Sequence, residues 1–212
     1  EHRTFTGRAG PLVALDTETT SLDAMTARIV CLSIAVAPGE ASCVPLAHNY
    51  GDAPAQLPLD AVLAQLKPWL EDEAAAKVGQ HIKYDTHVLA NHGITVRGYR
   101  HDTLLQSYVL EAHLPHGLEK LAERHLGRKG LSYEDLCGKG ANQIPFAQVE
   151  VDKAAEYAGE DSEMTLAVHQ VLWPQLEAEP GLRFVYEKIE MPTSALLARI
   201  ERHGVLIDAA LL

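Results

Sequence analysis

A chain of 212 residues with 47% hydrophobic and 22% charged residues can bury one large core, and no tract is biased enough to stay unfolded. Its formal charge of −11, from 29 acidic against 18 Lys and Arg residues, excludes a protein that grips a polyanion through a basic surface. Work on nucleic acid would need metal ions for local charge inversion, or a partner module for grip. No apolar run approaches the roughly 20 residues of a membrane span, so no membrane association and no secretory signal are expected.

Residues 1–10 are polar and read as a lead-in. Gly10-Pro11 then opens a first strand over Pro11 to Thr17, whose run Leu12-Val13-Ala14-Leu15 marks a buried central element. Thr19, Thr20, Ser21 and Asp23 form a polar turn around Leu22. Arg28 to Val36 reads as a second strand, Pro38-Gly39-Glu40 as a hairpin turn, and Ala41 to Leu46 as the returning third strand. A Gly- and Pro-rich loop over His48 to Pro58 precedes a helix over Leu59 to Leu70, striped by Val62, Leu63 and Leu66. Ala75 to Val78 is a short strand ending at Gly79, and Gln80 to Asp85 leads into a helix closing near His92-Gly93. After Gly98 the pattern is mostly helical, over Thr103 to Leu110, Leu118 to Leu126 and Val149 to Leu172. Leu131 to Gln143 forms a connection with flexible Gly138-Lys139-Gly140. Pro174 and Pro180-Gly181 are expected to break the chain. A last helix runs from about Phe184 to Gly204, with a kink or restart at Pro192. Three meandering strands followed by helix, strand and helix indicate an α/β fold, a mixed sheet flanked by helices, with a largely helical C-terminal half.

Cys31, Cys43 and Cys137 are odd in number and lack C-x-x-C spacing, which predicts reduced thiols in a cytoplasmic protein. The 11 histidines are scattered without a zinc-binding spacing, and read as surface or core imidazoles.

Asp16 and Glu18 stand two apart at the end of the first strand and so share a face. Two like charges that close repel unless a cation lies between them, and a hard divalent ion held by oxygens suits the pair. The alternative is two solvated acids at a strand end. Asp85, in the first turn of the helix after a neighbouring strand, could serve only the helix dipole, yet that junction can lie beside the end of the first strand. Tyr157 and Asp161 are four apart on one helix, hence on one face, bordered by the small residues Ala158 and Gly159. Four carboxylates and a phenol would suit two-metal phosphodiester hydrolysis with Mg²⁺ or Mn²⁺. Asp16 would bridge two ions, Glu18 and Asp161 would complete the first site, Asp85 would hold the second, and Tyr157 would orient the attacking water.

Val13-Ala14-Leu15-Asp16-Thr17-Glu18-Thr19, Val78-Gly79-Gln80-His81-Ile82-Lys83-Tyr84-Asp85 and Tyr157-Ala158-Gly159-Glu160-Asp161 resemble the three exonuclease motifs of the DEDD superfamily, in its tyrosine branch. His101-Asp102-Thr103-Leu104-Leu105-Gln106-Ser107-Tyr108 and the stretch from Ile189 to Asp208 extend the likeness to the proofreading domains of bacterial family A DNA polymerases. The resemblance implies a ribonuclease H-like fold, Mg²⁺ or Mn²⁺ as cofactor, and 3′→5′ removal of mispaired nucleotides from a single-stranded or frayed 3′ end of DNA. It also implies substrate contacts at Thr17, Leu22, Gln80, His81 and Tyr133, with Leu22 as a wedge and Tyr133 as a stacking platform. The family commonly has Asn where His81 stands, so the contact there departs from the pattern. The end of the chain resembles the opening of a polymerase module. The expected organisation is an exonuclease domain over 1–180 and, over 181–212, a helical connection that begins a truncated polymerase module. The fragment is expected to be monomeric and cytoplasmic, from a bacterium. An exoribonuclease of the same branch and a catalytically silent spacer are the alternatives.

Overall fold

The computed structural model describes residues 10–208 and 211; apart from Gly10, the lead-in lies outside the described residues. Five strands form one mixed sheet in the order β3-β2-β1-β4-β5: β1 Val13–Thr19, β2 Ile29–Ala37, β3 Glu40–Pro45, β4 Lys77–Gly79 and β5 Tyr99–Asp102. β1, β2 and β3 meander antiparallel, whereas β4 runs parallel to β1 and β5 parallel to β4. The helices are α1 Leu59–Leu70, α2 Ile82–Asn91, α3 Thr103–Glu111, α4 Leu118–Leu126, α5 Tyr133–Cys137, α6 Val151–Ala178, α7 Pro180–Phe184 and α8 Met191–His203.

The alternation of β1 assigns its two faces. Leu15 packs with Leu63 and Leu70 of α1 and with Val88 and Leu89 of α2. Ala14, one residue earlier, packs on the opposite face with Ala35, Val78 and Leu166 of α6. Asp16 and Glu18 have the parity of Ala14 and share the α6 face; Thr17 has the parity of Leu15 and faces α2. Small side chains let α6 close onto the sheet: Ala154 and Ala158 are fully buried, and a Cβ added at Gly159 would meet the Ala41 Cβ of β3 at 3.8 Å.

Four features differ from the sequence reading. β5 was not foreseen, because Tyr99-Arg100-His101-Asp102 is a short edge strand with one fully buried residue. α6 runs through Pro174 for 28 residues. The carbonyl freed by that proline belongs to Gln170, which is exposed to solvent, so the break costs little. Pro180 does sit at a break but starts α7, and a wide π turn over Val185–Glu190 joins α7 to α8, with Pro192 in the first turn of α8. The expected flexible connection holds α5, capped by Ser132 accepting from the Asp135 amide at 3.1 Å.

The thiol reading is also corrected: Cys31 and Cys43 form a disulfide. The β2–β3 register sets Ser33 opposite Cys43 and Cys31 opposite Pro45. The two sulfurs are therefore diagonal neighbours on one face, an adjacency that counting cysteines cannot reveal. Cys137 is the free, buried thiol among the described residues. No helix of the described residues is long and apolar enough to cross a membrane.

Candidate active site

The fold brings the far-separated acids together at the C-terminal end of β1. Because β4 lies parallel beside β1, the β4–α2 junction opens at the same sheet edge and delivers Asp85 there. The Thr17 hydroxyl donates to Asp85 Oδ1 at 2.6 Å, and Asp85 is 2% exposed. From the other face, α6 contributes Tyr157, buried, and Asp161 one turn later. The site thus straddles the edge of the sheet: Asp16 and Glu18 face α6, while Asp85 approaches from α2.

The electrostatics record this convergence. Burial raises Asp16 to about 6, against a counteracting hydrogen bond from the Thr17 backbone. Burial first, then the charges of Asp16, Asp161 and Asp85, holds Glu18 well above the carboxylate range. Asp85 is raised by burial and by Asp16, and Asp161 by burial and by Asp16. Burial also raises the Tyr157 phenol, reinforced by Asp161 and Glu18. Among the described residues no Lys, Arg or His forms an ion pair with any of the four acids. The set is an uncompensated cluster of hard oxygen donors. It is not a finished coordination shell: among the described residues, no group of three or more His, Cys, Asp or Glu side chains is arranged to hold a metal ion as it stands.

The other residues named from sequence stand on β1 and the turn after it, at the β4–α2 junction, and on α5. Leu22 is 97% exposed on the turn after β1, so a packing role is excluded. That turn is held by the Tyr84 hydroxyl, which donates to the Ser21 carbonyl at 2.5 Å. Tyr133, on α5, is partly exposed, and burial beside Cys137 raises its phenol to about 12. Its ring lies 6.5 Å from Phe146, which lies 6.1 Å from Tyr157, so an aromatic row leads from the surface to the acids. His81 is exposed and left-handed, φ 62° and ψ 51°. Two named side chains are spent within the fold. Thr17 holds Asp85, and the Gln80 amide donates to the His116 carbonyl at 2.9 Å while accepting from the Thr103 hydroxyl.

Sequence reasoning missed three supports. Phe146 stands between the connection over Leu131 to Gln143 and the helix over Val149 to Leu172, in a stretch to which the sequence assigns no element. Asp102 is 1% exposed and caps two helices at once: Oδ1 accepts from His81 N at 3.0 Å and Leu104 N at 2.9 Å, and Oδ2 from Ile82 N at 3.0 Å. An acid directly before Thr103 at a helix start was the available signal for it. The Tyr186 hydroxyl in turn accepts from the Asp102 amide at 2.9 Å.

Comparison with known proteins decides the family, since the family description "3′-5′ exonuclease" for A-type DNA polymerases matches residues 6–177. The chain belongs to the DNA polymerase A 3′–5′ exonuclease family. Among curated relatives of this exonuclease family, DNA polymerase I of Pseudomonas aeruginosa is 52% identical over 204 residues, 95% of this chain and 22% of that protein. The chain therefore spans under a quarter of the curated relative it matches. Among solved structures, the POL domain of Pol1 from M. smegmatis, in complex with DNA primer-template and dNTP, aligns with a TM-score of 0.72 at 22% identity, covering 94% of this chain and 30% of that one. Brucella melitensis NrnC with bound Mg²⁺ aligns with a TM-score of 0.59 at 21% identity, covering 94% of this chain and 90% of that one. The fold is ribonuclease H-like.

Proposed function

We propose that this chain is the proofreading exonuclease unit of a bacterial DNA polymerase I, hydrolysing the terminal phosphodiester at a single-stranded or frayed 3′ end of DNA. The observation that carries the reading is the convergence of Asp16, Glu18, Asp85 and Asp161, each raised by burial and, for three of them, by another acid's charge, with no basic side chain paired to them among the described residues. An all-oxygen, carboxylate-rich donor set fits two hard divalent cations, Mg²⁺ or Mn²⁺. Asp16 would be shared between them, Glu18 and Asp161 would hold one, and Asp85 the other. Such ions supply charge neutralisation at the phosphate and acidify bound water.

The chain's own groups do the remaining work. Tyr157 is too weak an acid to serve as a base at neutral pH, because burial and Asp161 push its phenol upward, so it orients the attacking water by hydrogen bonding. Leu22, fully in solvent, wedges against the terminal bases, and Tyr133 offers a ring on which any base can stack. Thr17 and Gln80 act by holding Asp85 and the β4–α2 junction, and His81 meets the strand from the start of α2. A polymerase module following residues 181–212 supplies the duplex grip that a chain of charge −11 lacks. We read the protein as monomeric and cytoplasmic, and residues 1–180 as the exonuclease unit proper.

The test is release of 3′ mononucleotides from single-stranded DNA with Mg²⁺ or Mn²⁺, beside an Asp16→Ala control and an RNA competitor. Rapid release by the wild type alone, with DNA preferred, supports the reading. Equal rates in both proteins overturn it, and preference for RNA moves the assignment to an exoribonuclease.

A further inference from the structure

The α2 helix carries Asp85, yet its own sequence does little to seat its outer surface. It has no side-chain N-cap of its own and starts from a left-handed His81. Its inner face, Val88 and Leu89, packs on the core below β1. Its outer face looks across a cleft of about 550 Å³ towards α8, with Thr86 and Ala90 on one wall and Ala195 and Ala198 on the other. Across that gap the two helices are joined at the C-terminal end of α8. Glu201 is bivalent: Oε1 meets Lys83 Nζ at 2.5 Å and Oε2 meets His87 Nε2 at 2.8 Å. Its neighbour Arg202 donates to Asn91 Oδ1 at 2.6 Å. The Asn91 amide in turn donates to the Ala24 and Ala27 carbonyls, both at 2.9 Å, in the turn after Leu22.

Lys83 and His87 stand two residues before and two after Asp85, on the side of α2 turned to α8. A single carboxylate bridging both fixes that turn of helix about its axis and along it. We infer that Glu201 is a positioning residue for Asp85: α8, beyond the span that matches the family, sets where the Asp85 carboxylate stands relative to Asp16. The inference rests on the proposed two-ion reading. In that reading the ion held through Asp85 has fewer carboxylate ligands than the one held by Asp16, Glu18 and Asp161, so it is the weaker step of a titration. Glu201 touches neither ion and acts on that step alone.

The test is Mn²⁺ binding to the 212-residue chain, followed by the electron paramagnetic resonance of free Mn²⁺, for wild type, Glu201→Ala, Glu201→Gln, Lys83→Met and the Glu201→Ala/Lys83→Met double variant. The expected result is about a tenfold loss in the weaker step for Glu201→Ala with the tighter step unchanged, in line with losses on removing groups that orient ligands. Glu201→Gln, which keeps its shape and one acceptor, should recover part of the loss, and the double variant should be no worse than the more affected single one. Circular dichroism identifies any variant that fails to fold, in which case Glu201→Gln and Lys83→Met carry the comparison. Unchanged weaker steps, or equal losses in both steps, overturn the inference while leaving the two-ion reading intact. A wild type that binds no Mn²⁺ overturns both.

Discussion

Asp16→Asn should stabilise the metal-free protein. The Asp16 carboxyl moves from 3.8 to about 6, with burial as the first cause. A carboxyl raised that far disfavours the folded state by about 3 kcal/mol once ionised. Asp16 is partly exposed, and screening by solvent reduces the figure to about 2 kcal/mol. For a chain of this size that corresponds to about 4–8 °C in melting temperature. The folded value lies above the unfolded one, so the folded state binds more protons between them. The wild type is then favoured at low pH and loses stability as pH rises through about 6. The advantage of the Asn variant should be complete at pH 7, about half as large near pH 5 and nearly gone near pH 4.

Divalent cations should reverse the ranking. An ion bound by the folded wild type at about a hundred times its Kd adds about 2.7 kcal/mol, a gain that a variant lacking the shared carboxylate forfeits. The assay is thermal melting of both proteins in EDTA and in Mn²⁺ across that pH range. An Asn variant less stable than wild type in EDTA at pH 7, or a difference that ignores pH, would refute the claim that Asp16 is held against its preferred ionisation.

Three other substitutions probe the surroundings. Leu22→Ala should leave stability within about 0.5 kcal/mol, because the side chain packs against nothing, while slowing release from single-stranded 3′ ends; unchanged kinetics would remove Leu22 from the substrate path. His81→Asn should stabilise the fold by about 0.5 kcal/mol in urea denaturation, since Asn tolerates the left-handed conformation at φ 62° better and the amide bond to Asp102 is unaffected. Asp102→Ala should cost about 2 kcal/mol or more, because it strips three amides at two helix starts, that of Ile82 buried and those of His81 and Leu104 partly buried, of their acceptor, and a loss below 1 kcal/mol would mean that solvent replaces it.

How legible each feature was depends on how local its cause is. The buried strand, the hairpin at Pro38-Gly39-Glu40 and the helix over Leu59–Leu70 follow from periodicity and turn chemistry within a dozen residues, and they fold where the sequence places them. β5 is four residues long and becomes a strand only because β4 offers it an edge. Pro174 is tolerated because Gln170 happens to face water, a fact of tertiary packing. The pairing of Cys31 with Cys43 depends on a register that no cysteine count contains.

The candidate site divides along the same line. Asp16 and Glu18 could be read as a pair from strand parity, and Tyr157 and Asp161 from helix periodicity, because both geometries are set within one element. What sequence alone could only conjecture was that the β4–α2 junction opens beside the end of β1, and that follows from β4 being parallel to β1. The invisible parts are those that restrain the acids: Thr17 reaching across the sheet edge, Asp102 capping two helices, and Glu201 returning more than a hundred residues later to hold Lys83 and His87. A cluster of like charges at a sheet edge stays assembled only if such restraints outweigh its repulsion. Supports from three separate segments are therefore a physical requirement of the site, and substitutions among them should alter cation binding without touching a ligand.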